Sequence, residues 1–143
     1  MKIGIIGTRS GCTEAQFNKL RSILNSYPSD AEFHYGDCVG VDAAAAILAK
    51  ELGMKIVRHP PEKDDLRAYV LYDECREKFS HFKRNRNIVD SADVLIVVPW
   101  QSEWSSNGGT WYTHDYAIKH FVKTLIIWPD GTSEWKAYKC LGL

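Results

Sequence analysis

Five short apolar runs recur along the chain, and segments with helical character separate them. The runs are KIGIIG (2–7), AEFHYG (31–36), KIVRHP (55–60), DVLIVVP (93–99) and KTLIIW (123–128). Strands that alternate with helices pair in parallel, because each crossover helix returns the chain to the same end of the sheet. The sequence therefore predicts an α/β fold, a doubly wound sheet of about five parallel strands with helices on both faces. DVLIVVP is the most apolar run and is predicted to be central.

Local signals indicate where the helices begin and end. Thr13 and Gln16 have the spacing of a capping box, and the apolar residues after them repeat at helical spacing. Asp42 is predicted to cap the next helix. The segment 66–91 carries many charges and predicts one long helix or two broken helices. The segment 111–121 predicts the last helix.

Length and composition limit the possible classes of protein. The chain has 143 residues, 45% of them hydrophobic, which predicts one globular domain spanning 1–143. Eighteen basic residues balance eighteen acidic ones, so no global field attracts nucleic acid or an anionic membrane. The four cysteines form no CxxC pair and no metal-like spacing with the histidines. With no signal peptide or long apolar span, we expect a cytoplasmic protein with free thiols and without metal or cofactor.

Three loops rich in glycine and small polar residues follow predicted strands: GTRSG (7–11), GDCVGVD (36–42) and SSNGGT (105–110). Parallel strands end at one edge of the sheet, and doubly wound sheets bind ligands there, where the strand order reverses. The GxGxxG and GxxxxGK[ST] motifs are absent. Glycines nevertheless allow close approach of the backbone, and the N–H groups at a helix N-terminus complement a phosphate. The alternative for each loop is an ordinary turn.

Several side chains near these loops have two possible roles. Arg9 is either a solvated loop cation or a bidentate partner of a phosphate. Asp37 and Asp42 either accept hydrogen bonds from ribose hydroxyls or act as a turn former and a helix cap. The tryptophans at 100, 104 and 111 and the tyrosine at 112 either pack in the core or stack on a base.

Four motifs, in this order and spacing, resemble the SLOG superfamily. They are GTRSG, GDCVGVDAAAA, RNRNIVDSADVLIVVPW and SNGGTWYTHDYAIKH, and the resemblance extends from Lys2 to about Trp128. This Rossmann-like group contains the LOG phosphoribohydrolases, the DprA/Smf proteins and the YspA/YpsA-like proteins, and the chain is most similar to the small YspA-like members. The resemblance implies a single Rossmann-like domain with a site for a nucleotide or a nucleotide-derived ligand.

The resemblance also implies roles for particular residues. Gly108, Gly109 and Thr110 would hold a phosphate, whereas Gly36, Gly40 and Asp42 would line the sugar side. Arg84 and Asn87 either face the ligand from under the sheet edge or lie on a solvated helix surface. The predicted ligand-binding residues are Gly7, Thr8, Arg9, Ser10, Gly36, Asp37, Gly40, Asp42, Arg84, Asn87, Ser106, Asn107, Gly108, Gly109 and Thr110.

One departure from the family pattern bears on catalysis. In the LOG enzymes the motif continues as GGxGTxxE, and its glutamate assists cleavage of the bond between ribose and base. Thr113 stands at that position here and supplies no carboxylate. Asp115 is a weak substitute, and His114 is predicted to be an exposed helical histidine. The resemblance therefore leaves enzymatic activity uncertain.

Three functions follow as alternatives. The first, which we favour, is a binding module that senses or sequesters a nucleotide-derived small molecule. The second is an N-glycosidic hydrolase acting on a nucleoside monophosphate, and the third is DprA-like binding of single-stranded DNA, which lacks the basic surface it requires. Relatives commonly pair through helices, so a homodimer or larger homo-oligomer is expected through apolar residues of the 66–82 segment. These residues are Tyr69, Val70, Leu71, Tyr72, Phe79 and Phe82.

Overall fold

A computed structural model describes residues 1–136, which form one seven-stranded sheet and four helices. The strands are β1 (Lys2–Gly7), β2 (Glu32–Tyr35), β3 (Lys55–Arg58), β4 (Glu74–Cys75), β5 (Val94–Val98), β6 (Lys123–Ile127) and β7 (Ser133–Lys136). The helices are α1 (Glu14–Asn25), α2 (Val41–Glu51), α3 (His81–Ser91) and α4 (Gly109–Lys119). The strand order is β4-β3-β2-β1-β5-β6-β7, and every neighbouring pair is parallel except β6 and β7.

The predicted α/β class and all five predicted strands are confirmed. Two strands escaped prediction because neither has an apolar pattern: β4 has two residues, and all four residues of β7 are exposed. β5 is buried along its whole length and lies beside β1, which is the middle strand. From β1 the sheet grows through β2 in one direction and through β5 in the other, so the strand order reverses between β1 and β5.

The helices cover both faces of this sheet. On one face, Leu20 and Leu24 of α1 and Ala45 of α2 are fully buried in the larger apolar cluster. On the other face, Ile88 of α3 and Trp111 of α4 belong to a second cluster. None of the helices within residues 1–136 is long and apolar enough to cross a membrane. The cysteines at positions 12, 38 and 75 are free thiols, and Cys140 lies outside the described residues.

The prediction of helix over most of 66–91 is wrong, since only α3 is helical there. Asp37 supplies the physical reason, because it binds residues 67–70 in a path that is not helical. Its carboxylate accepts from Val70 N (3.1 Å) and from Arg67 Nε (2.9 Å), and its carbonyl accepts from Ala68 N (2.9 Å). Backbone donors that a helix would use internally are thus bound to a buried loop residue.

Two helix starts also differ from the sequence predictions. α2 begins at Val41, with Gly40 as its N-cap at a φ of 91°, so Asp42 lies in the first turn and is not the cap. α4 begins at Gly109, two residues before the predicted start. The capping box of Thr13 and Gln16 at α1 is confirmed.

The exposed apolar residues predicted to mediate oligomerisation lie mainly in the irregular segment before α3. Tyr69, Leu71, Tyr72 and Phe82 are 57%, 72%, 46% and 52% exposed, respectively. Val70 is instead partly buried against the core. A homo-oligomer stays a prediction, now with a loop surface rather than a helix face as its expected contact.

A buried histidine pair joins β2 to the end of β3. His34 Nδ1 lies 2.8 Å from His59 Nε2, and His34 Nε2 lies 3.1 Å from a carboxylate oxygen of Glu32. Since the carboxylate must accept, His34 carries its proton on Nε2 and receives a hydrogen bond from His59. Burial lowers the pKa of His34, and burial together with the neighbouring His34 lowers the pKa of His59 to about 3.

This pair makes the protein sensitive to acid. The histidines of the unfolded chain bind protons near pH 6.5, whereas the folded pair stays neutral. The contribution of the pair to the free energy of unfolding is therefore fully present above that pH and is lost as the pH drops toward about 3. Each histidine contributes a slope of up to about 1.4 kcal/mol per pH unit. We expect His59→Gln, which keeps a donor for His34, to reduce this slope in urea unfolding measured from pH 7 to pH 4. The exposed His120→Gln is the control, and equal slopes in both variants would contradict the assignment.

Candidate functional site

A cavity of about 500 Å³ opens at the carboxyl edge of the sheet, between the ends of β1 and β5. Its walls come from the loop after β1, the first turns of α2, α3 and α4, and the loop between β5 and α4. This is the point where the strand order reverses, which is the usual ligand site of doubly wound sheets. We call it the central cavity.

Two glycines bring the loops after β1 and β2 into contact. A Cβ at Gly7 would lie 2.4 Å from Val41 Cγ1, and a Cβ at Gly40 would lie 2.5 Å from the carbonyl oxygen of Arg9. Val41 N donates to Thr8 O at 3.1 Å across the same contact. Larger residues at either glycine would separate the loops, so the glycines fix the start of α2 at the wall of the cavity.

The three helices that line the central cavity share an unusual feature, because none has a side-chain cap at its N-terminus. In α4 the first intrahelical hydrogen bond runs from Tyr112 N to Gly108 O (3.3 Å), so the amides of residues 109–111 precede it. By contrast α1, which does not line the cavity, has a complete capping box. The dipoles of three helices place partial positive charge at the cavity, although the first amide of α2, Val41 N, is already bonded to Thr8 O.

Arg84 lies beneath the cavity and is 3% exposed. Its guanidinium donates to the carbonyl of Gly36, to the carbonyl of His59 at 3.3 Å and to Oδ1 of Asn85 at 2.7 Å. It also lies 3.1 Å from Nδ1 of His81, which must accept. Most of its donors are therefore used by the protein, and the side chain holds three elements together.

Asp42 is the acidic residue among those that line the central cavity. One carboxylate oxygen accepts from Cys38 N at 3.3 Å. That oxygen and the guanidinium carbon of Arg84 lie 2.9 Å and 2.8 Å from the position of a Cβ at Gly36, so this glycine leaves room for both groups. Burial raises the pKa of Asp42 to about 6, although the charge of Arg84 acts in the opposite direction.

Arg9 and His81 complete the charge pattern of the cavity. Arg9 is exposed, and within residues 1–136 it makes no ion pair and no side-chain hydrogen bond. Burial and then the charge of Arg84 lower the pKa of His81, which keeps the imidazole neutral at pH 7. Arg9 is therefore a cation at the cavity wall with its donors available.

The structure brings ten of the fifteen predicted site residues to the central cavity. They are Gly7, Thr8, Arg9, Ser10, Asp42, Arg84, Asn107, Gly108, Gly109 and Thr110. Gly36 and Gly40 lie behind the lining, where they allow the close contacts described above. Asp37, Asn87 and Ser106 are not among the lining residues. Asp37 is committed to Arg67, and Asn87 lies in a shallow pocket beside Arg76 on another surface.

Sequence reasoning missed several lining residues, including His81, Phe82, Asn85 and Gln101. All four adjoin predicted motifs, but they come from helix α3 and from the end of β5 rather than from glycine loops. The signal that would have found Asn85 is the KRNRN run, in which residues 84 and 85 face the cavity and residue 87 does not. Helical spacing alone does not fix which residues of a short run face inward.

Thr113, at the glutamate position of the LOG motif, is fully buried and structural. Its hydroxyl donates to Gly109 O (2.7 Å) and accepts from Asn85 Nδ2 (3.0 Å), which ties the glycine loop to α3. Asp115 lies outside the central cavity and lines a second cavity of about 450 Å³. His114, predicted to be exposed, is 8% exposed because it packs edge-on against Trp111.

Comparison with known proteins bears on the fold. No family model and no curated protein matches the chain. Among solved structures, TM1055, a structural genomics target, is 16% identical with a TM-score of 0.61, over 86% of this chain and 71% of that one. DNA processing protein A (DprA) from Streptococcus pneumoniae is 16% identical with a TM-score of 0.65, over 87% of this chain and 49% of that one. The chain thus spans about half the length of DprA, and both likenesses establish a shared fold.

Proposed function

We propose that the protein binds a phosphorylated, nucleotide-like small molecule in the central cavity, as a sensor or a sequestering module. The observation that carries this proposal is the convergence of three uncapped helix N-termini on one cavity. The amides at the start of α4 and the dipoles of the three helices favour a phosphate, and Arg9 adds a fork of donors that suits phosphate oxygens. The glycines at 108 and 109 let a ligand approach the start of α4 closely.

The resemblance to the SLOG superfamily supports the nucleotide part of this proposal, and the fold shared with TM1055 and DprA is consistent with it. A cavity of about 500 Å³ falls within the range of roughly 300–1,000 Å³ for small-molecule sites. Binding of single-stranded DNA depends on basic residues that neutralise the phosphates, and the net charge of zero does not favour this function.

Thermal unfolding with a panel of phosphorylated compounds tests the proposal. A ligand that binds only the folded state raises the melting temperature by mass action. At a concentration of about a hundred times its Kd, it adds about 2.7 kcal/mol to the free energy of unfolding. We expect at least one nucleoside phosphate or dinucleotide to stabilise the protein, whereas the matching dephosphorylated nucleosides do not. A panel without any stabilising phosphate compound at millimolar concentration would refute the assignment of the site.

A second candidate function is N-glycosidic hydrolysis, and Asp42 is the specific observation that favours it. Its carboxyl lines the cavity, and burial raises its pKa to about 6, within reach of general acid–base chemistry at neutral pH. Asp115 no longer serves as the substitute carboxylate, because it faces the second cavity. Release of free base from a bound nucleoside monophosphate, abolished in Asp42→Asn, would establish that the protein is a hydrolase. Binding of the nucleotide without release of its base would favour the role of a sensor or a sequestering module.

A further inference from the structure

The five tryptophans of the chain all lie within residues 1–136, and four of them have a polar partner. The pairs are Trp104 Nε1 with Asp115 (3.0 Å), Trp111 Nε1 with Gln101 (3.2 Å), Trp128 Nε1 with Glu134 (3.2 Å) and the Trp135 ring with the Lys123 ammonium (4.4 Å to the centroid). In the same described range Trp100 has neither a hydrogen bond nor a ring contact. Among the residues that the structure describes, Trp100 is therefore the indole with no polar or aromatic partner.

Trp100 nevertheless occupies a well-defined place. It is 67% exposed, lies two residues after the end of β5 and lines the central cavity. The preceding residue is fixed, because the buried amide of Gln16 donates to Pro99 O at 2.8 Å. Its ring is therefore exposed at the wall of a cavity, where a flat ligand can reach its face.

The other aromatic residues near the glycine loop 105–110 are buried, line another cavity or make contacts within the protein. Trp111 is 1% exposed, and Trp104 lines the second cavity. Tyr112 accepts a hydrogen bond from Arg86 and packs edge-on against Phe82, with ring centroids 4.7 Å apart. Of this group, Trp100 is the residue whose indole has no competing contact within the described chain.

We propose that Trp100 is the stacking platform for the base of the ligand. The inference rests on the proposed function and narrows it: the site takes nucleotides that retain their base, in preference to base-free sugar phosphates. Stacking tolerates any base because every base has a π face, and the larger purine rings cover more of an indole. The phosphate would lie at the start of α4, and Trp100 would hold the opposite end of the same molecule.

Calorimetric titration with ribose 5-phosphate and the four common nucleoside monophosphates tests this assignment. We expect the wild-type protein to bind at least one nucleotide more tightly than ribose 5-phosphate. Trp100→Ala should weaken that nucleotide roughly 5- to 150-fold and leave ribose 5-phosphate unchanged. Trp100→Phe should restore most of the affinity, because it retains an aromatic face. Trp104→Ala is the matched control, since Trp104 is 53% exposed on the same loop but lines the other cavity.

The outcomes separate the two proposals. If Trp100→Ala weakens ribose 5-phosphate and the nucleotide equally, or weakens neither, the stacking role is wrong while phosphate binding stands. If Trp104→Ala has the larger effect on the nucleotide, the base lies in the second cavity and the assignment of Trp100 is also wrong. If none of the five compounds binds the wild-type protein, the role of Trp100 as a platform for the base is wrong, and the proposed function is then decided by the wider panel of phosphorylated compounds.

Discussion

Gly109→Val is expected to abolish binding of phosphorylated ligands while the protein stays folded. Gly109 is the first residue of α4 and lines the central cavity, and its φ is not in the left-handed region. An added Cβ would meet only the side-chain amide nitrogen of Asn85, at 3.9 Å, so the fold has room for a β-carbon at this position. The two further methyl groups would occupy the space in front of the first amides of the helix, where the phosphate is proposed to lie.

The expected loss is large because a phosphate binds through charge-assisted hydrogen bonds. Each is worth about 1.5–3 kcal/mol, so losing two reduces affinity by at least about a hundredfold. Ser106→Val places the same side chain three residues earlier on the same loop, at an exposed position outside the cavity lining, and should bind normally. Calorimetry gives the affinities, and urea unfolding checks that both variants stay within about 1 kcal/mol of the wild type. If Gly109→Val binds the ligand as well as the wild type does, the assignment of the phosphate to the start of α4 is wrong, and the loop that carries Arg9 becomes the expected phosphate site.

The sequence predicted the sheet well because its signals were local. Five of the strands are apolar runs whose side chains are buried under the helices on the two faces of the sheet, as β5 shows over its whole length. The strand β4 could not be predicted, since it has only two residues and follows a segment whose path is held by contacts with the distant Asp37. A contact between residues 37 and 70 has no trace in the periodicity of either segment.

In the candidate site, too, the features with local sequence signals were predictable and those that depend on distant contacts were not. Glycine loops were predictable because the chain needs glycine wherever backbones meet, as Gly40 does against Arg9. The roles of Asp37 and Asn87 were not predictable, since each depends on which way one side chain faces in the folded protein. Arg84 was ambiguous for the same reason, and the structure places it beneath the cavity with its donors on Gly36, His59 and Asn85.

Arg84→Met should destabilise the protein strongly, by about 3–5 kcal/mol, the usual cost of leaving one buried charge without its counter-charge. Methionine retains the length of the side chain but leaves the carbonyls of Gly36 and His59 without their donor and Asp42 without a nearby cation. Urea unfolding measures the loss. Arg84→Lys keeps the charge but not the planar guanidinium, so it should reduce the free energy of unfolding less than Arg84→Met does. The lysine variant should therefore remain folded even if the methionine variant does not fold.

The pH dependence of this loss identifies its cause. Burial raises the pKa of Asp42 from 3.8 to about 6, so its ionisation opposes folding, and its contribution to stability falls as the pH rises through that window. Without Arg84 the pKa of Asp42 rises further, which extends the penalty to higher pH. Arg84→Met should therefore cost more at pH 8 than at pH 5, and less in an Asp42→Asn background. An equal cost at both pH values, unaffected by Asp42→Asn, would mean that Arg84 does not balance Asp42 and that its hydrogen bonds to the carbonyls of Gly36 and His59 account for the loss.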